Sequence, residues 1–243
     1  MDKTLLFDGL WVIFMLVLLY RAVRWVIGRR ASPLRQVRHQ AVGALCEKYG
    51  LAPGQINLPP IFRITSAMEP TAFENSFVSA DGAVSAADCW RNTDKTWRAF
   101  SLLVFAVPGL NMPGVAVTRR DLPGMPLVWG SQQVGLESIE FNARFVVRAQ
   151  NRHSAVMLLD EGMMQWLMDC EQVSFEIAAD WVVALVTRRG EPTNQPSLPS
   201  ASNPRRTDPV ELELLFKFWQ GFVPRVPAIL RTEFPVGSLA LGD

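Results

Sequence analysis

From Gly9 to Tyr20 the chain carries no charge, and the stretch LWVIFMLVLLYRAVRWVIGRR (Leu10–Arg30) has few places to go in water. It leaves the cell, sits in a membrane, or packs inside a core. A helix rises ~1.5 Å per residue, so the uncharged part alone is too short for a bilayer core of about 30 Å. Extending it from Leu5 to Ile27 gives enough length and adds Asp8, Arg21 and Arg24 near the ends, where long side chains can snorkel to headgroups. Leu10, Trp11, Phe14, Leu18, Tyr20 and Trp25 then form a membrane anchor, with Trp11, Tyr20 and Trp25 placed as interfacial aromatics.

The flanks of this run decide its orientation. Asp2, Lys3 and Asp8 precede it; Arg21, Arg24, Arg29, Arg30, Arg35 and Arg38 follow, with no acid until Glu47. The positive-inside tendency puts the Arg-rich flank in the cytoplasm and the N-terminus outside. A cleaved signal peptide wants a basic region before the apolar run and a small-residue cleavage site after it; here the basic residues follow and the small-residue site is missing. An in-plane amphipathic helix is the weaker alternative. The expected address is the inner membrane, single-pass, with the basic flank free to meet membrane lipids.

Ser32 and Pro33 read as a helix start, Leu34, Val37, Ala41, Leu45 and Tyr49 as its apolar stripe, and Gly50 as its stop. Arg35, Arg38, His39 and Lys48 lie on the other face. The expected organisation is therefore an anchor over 1–30, a basic juxtamembrane helix and linker over 31–55, and a cytoplasmic domain over 56–243.

Composition supports a packed domain: 49% of 243 residues are apolar, including eight Trp and fourteen Phe. Net charge is +1, which gives no general attraction to nucleic acid. Cys46, Cys89 and Cys170 are odd in number and widely spaced, so they form no disulfide framework.

Strand signals dominate beyond residue 60. Ile61–Ser66, Phe73–Ser79, Trp97–Val107, Gly114–Thr118, Leu127–Trp129, Ile139–Gln150 and Ala155–Leu159 read as strands. Asp160 caps a helix over Glu161–Cys170, with Met163, Met164, Leu167 and Cys170 inward. Val173–Ile177 and Trp181–Thr187 form a hairpin. Residues 190–208, rich in Pro, Ser and Asn, read as a flexible loop. Asp208-Pro209 with Glu211 opens a helix over Val210–Phe222, whose buried side is Val210, Leu214, Leu215, Phe218 and Phe222. Strands in blocks with few helices predict an α+β fold: a transmembrane helix, then an antiparallel-sheet domain with a few packed helices. FENSFV (Phe73–Val78) and FNARFV (Phe141–Val146) share a spacing, which a duplication into two related halves would explain, as chance would.

No catalytic, cofactor or metal motif stands out. The two histidines are His39 on the basic helix and His153 in a turn, too few for a histidine metal cluster. There is no P-loop, GxSxG or GxGxxG after a strand. His153, Ser154 and Asp160 are neighbours in sequence, which does not make a triad. Met163, Met164 and Met168 read as core packing on a helix before a soft ligand surface. Trp166 falls off the inward face of its helix and Trp219 sits at the edge of its stripe, so these two are the expected partner-facing residues.

Phe141, Phe145 and Val147 form an F-x-x-x-F-x-V pattern, and Asp160, Met163, Met164 and Leu167 a capped Asp-x-x-Met-Met-x-x-Leu helix. With the hairpin and final amphipathic helix, residues 141–227 resemble the C-terminal region of an uncharacterised family of single-pass, membrane-anchored bacterial proteins, frequent in actinobacteria. The resemblance implies a fold and an address and no catalytic residues. The function expected is a non-enzymatic accessory subunit or adaptor, docking its cytoplasmic domain onto a larger membrane protein complex such as an energy-converting complex or an envelope-lipid transporter. A lipid- or small-ligand-binding domain at the membrane surface is the alternative, and an enzyme of unrecognised type the third.

Overall fold

The computed structural model describes residues 15, 17, 19–21, 37, 39–56, 71–93, 96–120, 131–170, 173–187 and 209–235. Its centre is one antiparallel sheet. The strands are β1 (Leu51–Pro53), β2 (Thr71–Ser79), β3 (Val84–Thr93), β4 (Thr96–Ala106), β5 (Met112–Arg119), β6 (Gln132–Val134), β7 (Phe145–Ala149), β8 (Val173–Ala179) and β9 (Trp181–Thr187). They lie in the order β1-β2-β3-β4-β9-β8-β5-β7-β6. The helices are α1 (residues 39–48), α2 (Ile139–Arg144), α3 (Arg152–Leu158), α4 (Glu161–Asp169), α5 (Pro209–Arg225) and α6 (Ala228–Glu233).

The period of two along each strand sorts the core. Leu103 and Phe105 of β4, Val182, Ala184 and Val186 of β9, and Phe175 and Ile177 of β8 point to the face that carries the helices. There they meet Val42 and Cys46 of α1, Met163 and Leu167 of α4, and Leu215, Phe216, Phe218 and Phe222 of α5. Leu102, Val104, Val183, Leu185 and Ala178 point the other way and are buried with Ala87 and Ile56, beside half-buried Phe73 and Trp181. No described helix contributes to that second cluster. Strands buried on both faces explain why TWRAFSLLVFA reads as a nearly continuous apolar run.

Several elements follow the local sequence closely. Gly50 stops α1 with φ 76, its N–H donating to the Glu47 carbonyl. Asp160 caps α4, its Oδ1 accepting from the Met163 N–H at 2.7 Å. α5 begins at Pro209 as expected, and runs on to Arg225 past Pro224. A proline so near a helix end removes one bond in a turn whose carbonyls are already short of partners. Beside it the Gly221 carbonyl accepts from Arg225 Nη1 at 2.8 Å. The buried stripe of α5 differs in detail: Leu212 and Phe216 are inside, Leu214 is half-buried, and Val210 is 60% exposed.

The expected fold class needs correction on two points. First, no described helix is long and apolar enough to cross a membrane. Met15, Val17 and residues 19–21 are helical, yet the uncharged run they belong to ends at Arg21, about 18 Å after Gly9 at helical rise. Second, the sheet is one continuous unit, and the two Phe-x-x-x-Phe-Val segments are not equivalent. Phe73 and Phe77 lie in β2 on either side of a register shift between Glu74 and Phe77, which sends Phe73 to one face and Phe77 to the other. Phe141 lies in α2 and Phe145 opens β7, and their rings stack at 4.8 Å on the same face.

That second segment was expected as one strand over Ile139–Gln150. Ser138 Oγ accepts from the Phe141 N–H, which starts a helix instead, and the chain becomes strand only at Phe145. Ala155–Leu159 is likewise helical, within α3, because Asn151 Oδ1 caps it through the His153 N–H at 2.8 Å. β3 and the short edge strand β1 were not foreseen. Ile61–Ser66, Leu127–Trp129 and the loop 190–208 lie outside the described residues.

Candidate functional site

The polar groups that the sheet brings together lie under α1 and the first turn of α5. They begin at the bulge in β2. Glu74 pairs with Asp88, but Phe77 already pairs with Ala86, so β2 has one residue more than β3 can match. Asn75 absorbs the mismatch with φ 49, a left-handed conformation that asparagine tolerates better than most residues. Its Nδ2 donates to Asp88 Oδ2 at 2.6 Å, and its Oδ1 lies 3.1 Å from Nδ1 of His39 on α1. An amide that gives its N–H to a carboxylate offers only its oxygen on the other side, so His39 Nδ1 is the donor there.

Asp88 is buried and stands beside Ser101, its register partner on β4. Ser101 is buried as well, and its hydroxyl donates to Glu211 Oε2 of α5 at 3.2 Å. The two carboxylates thus flank one serine on the helix-covered face. Cys46 of α1 completes the group. Burial, and after it the charge of Asp88, pushes its thiol up to about 12. A thiol held in its protonated form is a poor nucleophile. Among the described residues no group of three or more His, Cys, Asp or Glu could hold a metal ion. Asn75 joins α1, β2 and β3 through its side chain, and Ser101 joins β4 to α5.

The second concentration of unusual side chains is aromatic. Trp166 of α4 stacks on Phe218 at 5.2 Å, with Phe222 at 6.2 Å and the Arg225 guanidinium 5.0 Å above its ring. Phe175 and Phe105 of the sheet pack beneath. Trp219 sits 6.4 Å from Phe105. Both tryptophans are half-buried, and both have a packing partner that their sequence positions did not announce.

Of the residues expected in the anchor and its basic flank, Tyr20 and Arg21 are described. Both are helical and exposed, Tyr20 at 63%. Leu10, Trp11, Phe14, Leu18, Trp25, Arg24, Arg29, Arg30, Arg35 and Arg38 lie outside the described residues. The polar seam was missed in the sequence. In the sequence His39 belongs to the basic face of the juxtamembrane helix, and Glu211 to a capping box. A signal existed in AVSAADCW, where Asp88 is the single acid in a run otherwise apolar or small.

No family model matches the chain, and no curated protein does. The family resemblance read from residues 141–227 gains no support from either comparison. Among solved structures, the mycobacterial trehalose monomycolate transport factor A, TtfA, is similar with a TM-score of 0.49 and 9% identity, over 78% of this chain and 96% of that one. A likeness of that degree carries no conclusion about this protein.

Proposed function

We propose that this chain is a non-catalytic accessory or adaptor protein, held at a membrane by its apolar N-terminal segment and presenting the nine-stranded domain to a larger membrane assembly. The observation that carries the reading is the exposure of Met15, Val17 and Leu19, at 56%, 49% and 62%. On a helix Met15 and Leu19 share a side and Val17 points away from both. Large apolar groups exposed in both directions call for an apolar surrounding that one flat docking face cannot supply. Lipid supplies it, and the six arginines from Arg21 to Arg38 suit an anionic cytoplasmic surface beside it. Val156 of α3 and Ile229 of α6, 47% and 55% exposed on helices that touch, offer the domain's own apolar contact for a partner.

The test fractionates cells that carry the full chain, tagged after Asp243, and a version lacking residues 1–30. The full chain is expected in the membrane fraction after a high-salt wash and, in mild detergent, to elute with partners at a fixed ratio. The shortened chain is expected in the soluble fraction. A full chain that is soluble and monomeric would overturn the reading.

A further inference from the structure

We propose that His39, Asn75 and Asp88 form a latch that fixes the N-terminal end of α1 on the sheet. The inference rests on contacts inside the domain and stands whether or not the membrane reading holds.

Three observations converge on Asn75. It occupies the one irregular point in the β2–β3 pairing. It does so with φ 49, which costs backbone energy for any residue with a Cβ. Its side chain bonds in both directions, to a buried carboxylate at 2.6 Å and to an exposed histidine on another element at 3.1 Å. A strained residue whose side chain joins two elements marks a place where structure is held against its own preference. A bond to a carboxylate is among the stronger hydrogen bonds, so the sheet side of the latch is the firm one. The helix side is a single bond between exposed groups, so it opens first.

The rest of the α1 contact is apolar and lies further along the helix. Val42 and Cys46 are buried, and Tyr49 stacks on Phe216 of α5 at 4.1 Å. Opening the latch therefore frees the N-terminal end of α1, nearest the preceding segment, while the end at Tyr49 stays pinned. The motion is a hinge about the pinned end.

Hydrogen exchange of the full chain, read by mass spectrometry, tests this with His39→Ala, Asn75→Gly and the double variant. Glycine accepts the φ of residue 75, so Asn75→Gly removes the bridge without adding strain. Peptides covering residues 39–48 are expected to exchange about tenfold faster in Asn75→Gly, the change that ~1.4 kcal/mol produces. His39→Ala is expected to give a similar acceleration, because it removes the same bond to α1. The double variant is expected to match Asn75→Gly alone, since each change breaks the same chain. Peptides from β4 and β9 are expected to keep their wild-type rates. Unchanged rates over 39–48, independent effects that multiply in the double variant, or equal acceleration of β4 and β9 would each overturn the latch.

Discussion

A Cβ on Gly221 would stand 2.7 Å from Cζ2 of Trp166. The indole lies across α5 at the point where that helix has no side chain. Phe218, Phe222 and Arg225 hold the ring on its other sides, so it has little room to move. The missing Cβ at Gly221 is thus what leaves room for the Trp166 ring against α5.

Gly221→Ala sets two effects against each other. The helix gains roughly 1 kcal/mol of propensity, and overpacking against a confined ring costs ~1–3 kcal/mol. A net loss of up to about 2 kcal/mol is expected in denaturant unfolding. Combined with Trp166→Ala, the same glycine substitution is expected to become neutral or stabilising, because the obstacle is gone. A stabilising effect in the wild-type background would mean that the indole moves aside freely.

Cys46 gives an alkaline signature. Its folded-state value of about 12 lies above the ordinary 9.0, through burial first and the Asp88 charge second. A raised value favours the protonated thiol in the folded protein. That contribution is complete below pH 9 and is lost as pH rises toward 12. Stability is expected to fall across this window, less steeply in Cys46→Ala, whose neutral baseline will itself be lower for want of the sulfur. In native protein at pH 8 a thiol reagent is expected to modify half-buried Cys170 well before Cys46.

Asp81 gives the opposite sign. Its carboxylate accepts from Ser79 Oγ at 2.6 Å and from the Ala83 N–H at 3.0 Å in the β2–β3 turn. The Ser79 bond, then that to the backbone, holds the carboxyl below its ordinary 3.8. A lowered value contributes stability above pH 3.8 that is lost as pH falls through the folded-state value. Because the group is fully exposed, the effect is small. Asp81→Asn is expected to remove this part of the acid dependence while leaving the turn formed, which acid titrations of both proteins by circular dichroism would compare.

Ala179 turns the β8–β9 hairpin with φ 54. An alanine there costs about 1–2 kcal/mol relative to its preferred regions, and glycine gives back ~0.5–1 kcal/mol in unfolded-state entropy. Ala179→Gly is expected to raise stability by up to about 1 kcal/mol in thermal or denaturant melts.

Local chemistry in the sequence was enough to place the elements whose signals lie within a few residues of one another. Gly50 at the end of α1, Asp160 at the start of α4, Pro209 at the start of α5, the β8–β9 hairpin and the apolar length of β4 all answer to capping, turn and periodicity rules that act locally. Where two local patterns compete, the sequence alone does not decide. Phe141, Phe145 and Val147 fit a strand by alternation, and Phe141 and Phe145 fit a helix turn equally well; Ser138 decided between them through one hydrogen bond.

Tertiary structure decided what no window of sequence contains. Asp88 and Ser101 are thirteen residues apart and become neighbours through strand register. Glu211 reaches Ser101 across 110 residues and His39 reaches Asn75 across 36. The bulge that gives Asn75 its backbone and sends Phe73 and Phe77 to opposite faces exists only because β2 is paired to β3. The composition of the chain thus determined that it has a core and where an apolar segment lies. The pairing of strands determined which polar groups are buried together, because register, unlike propensity, depends on both partners at once.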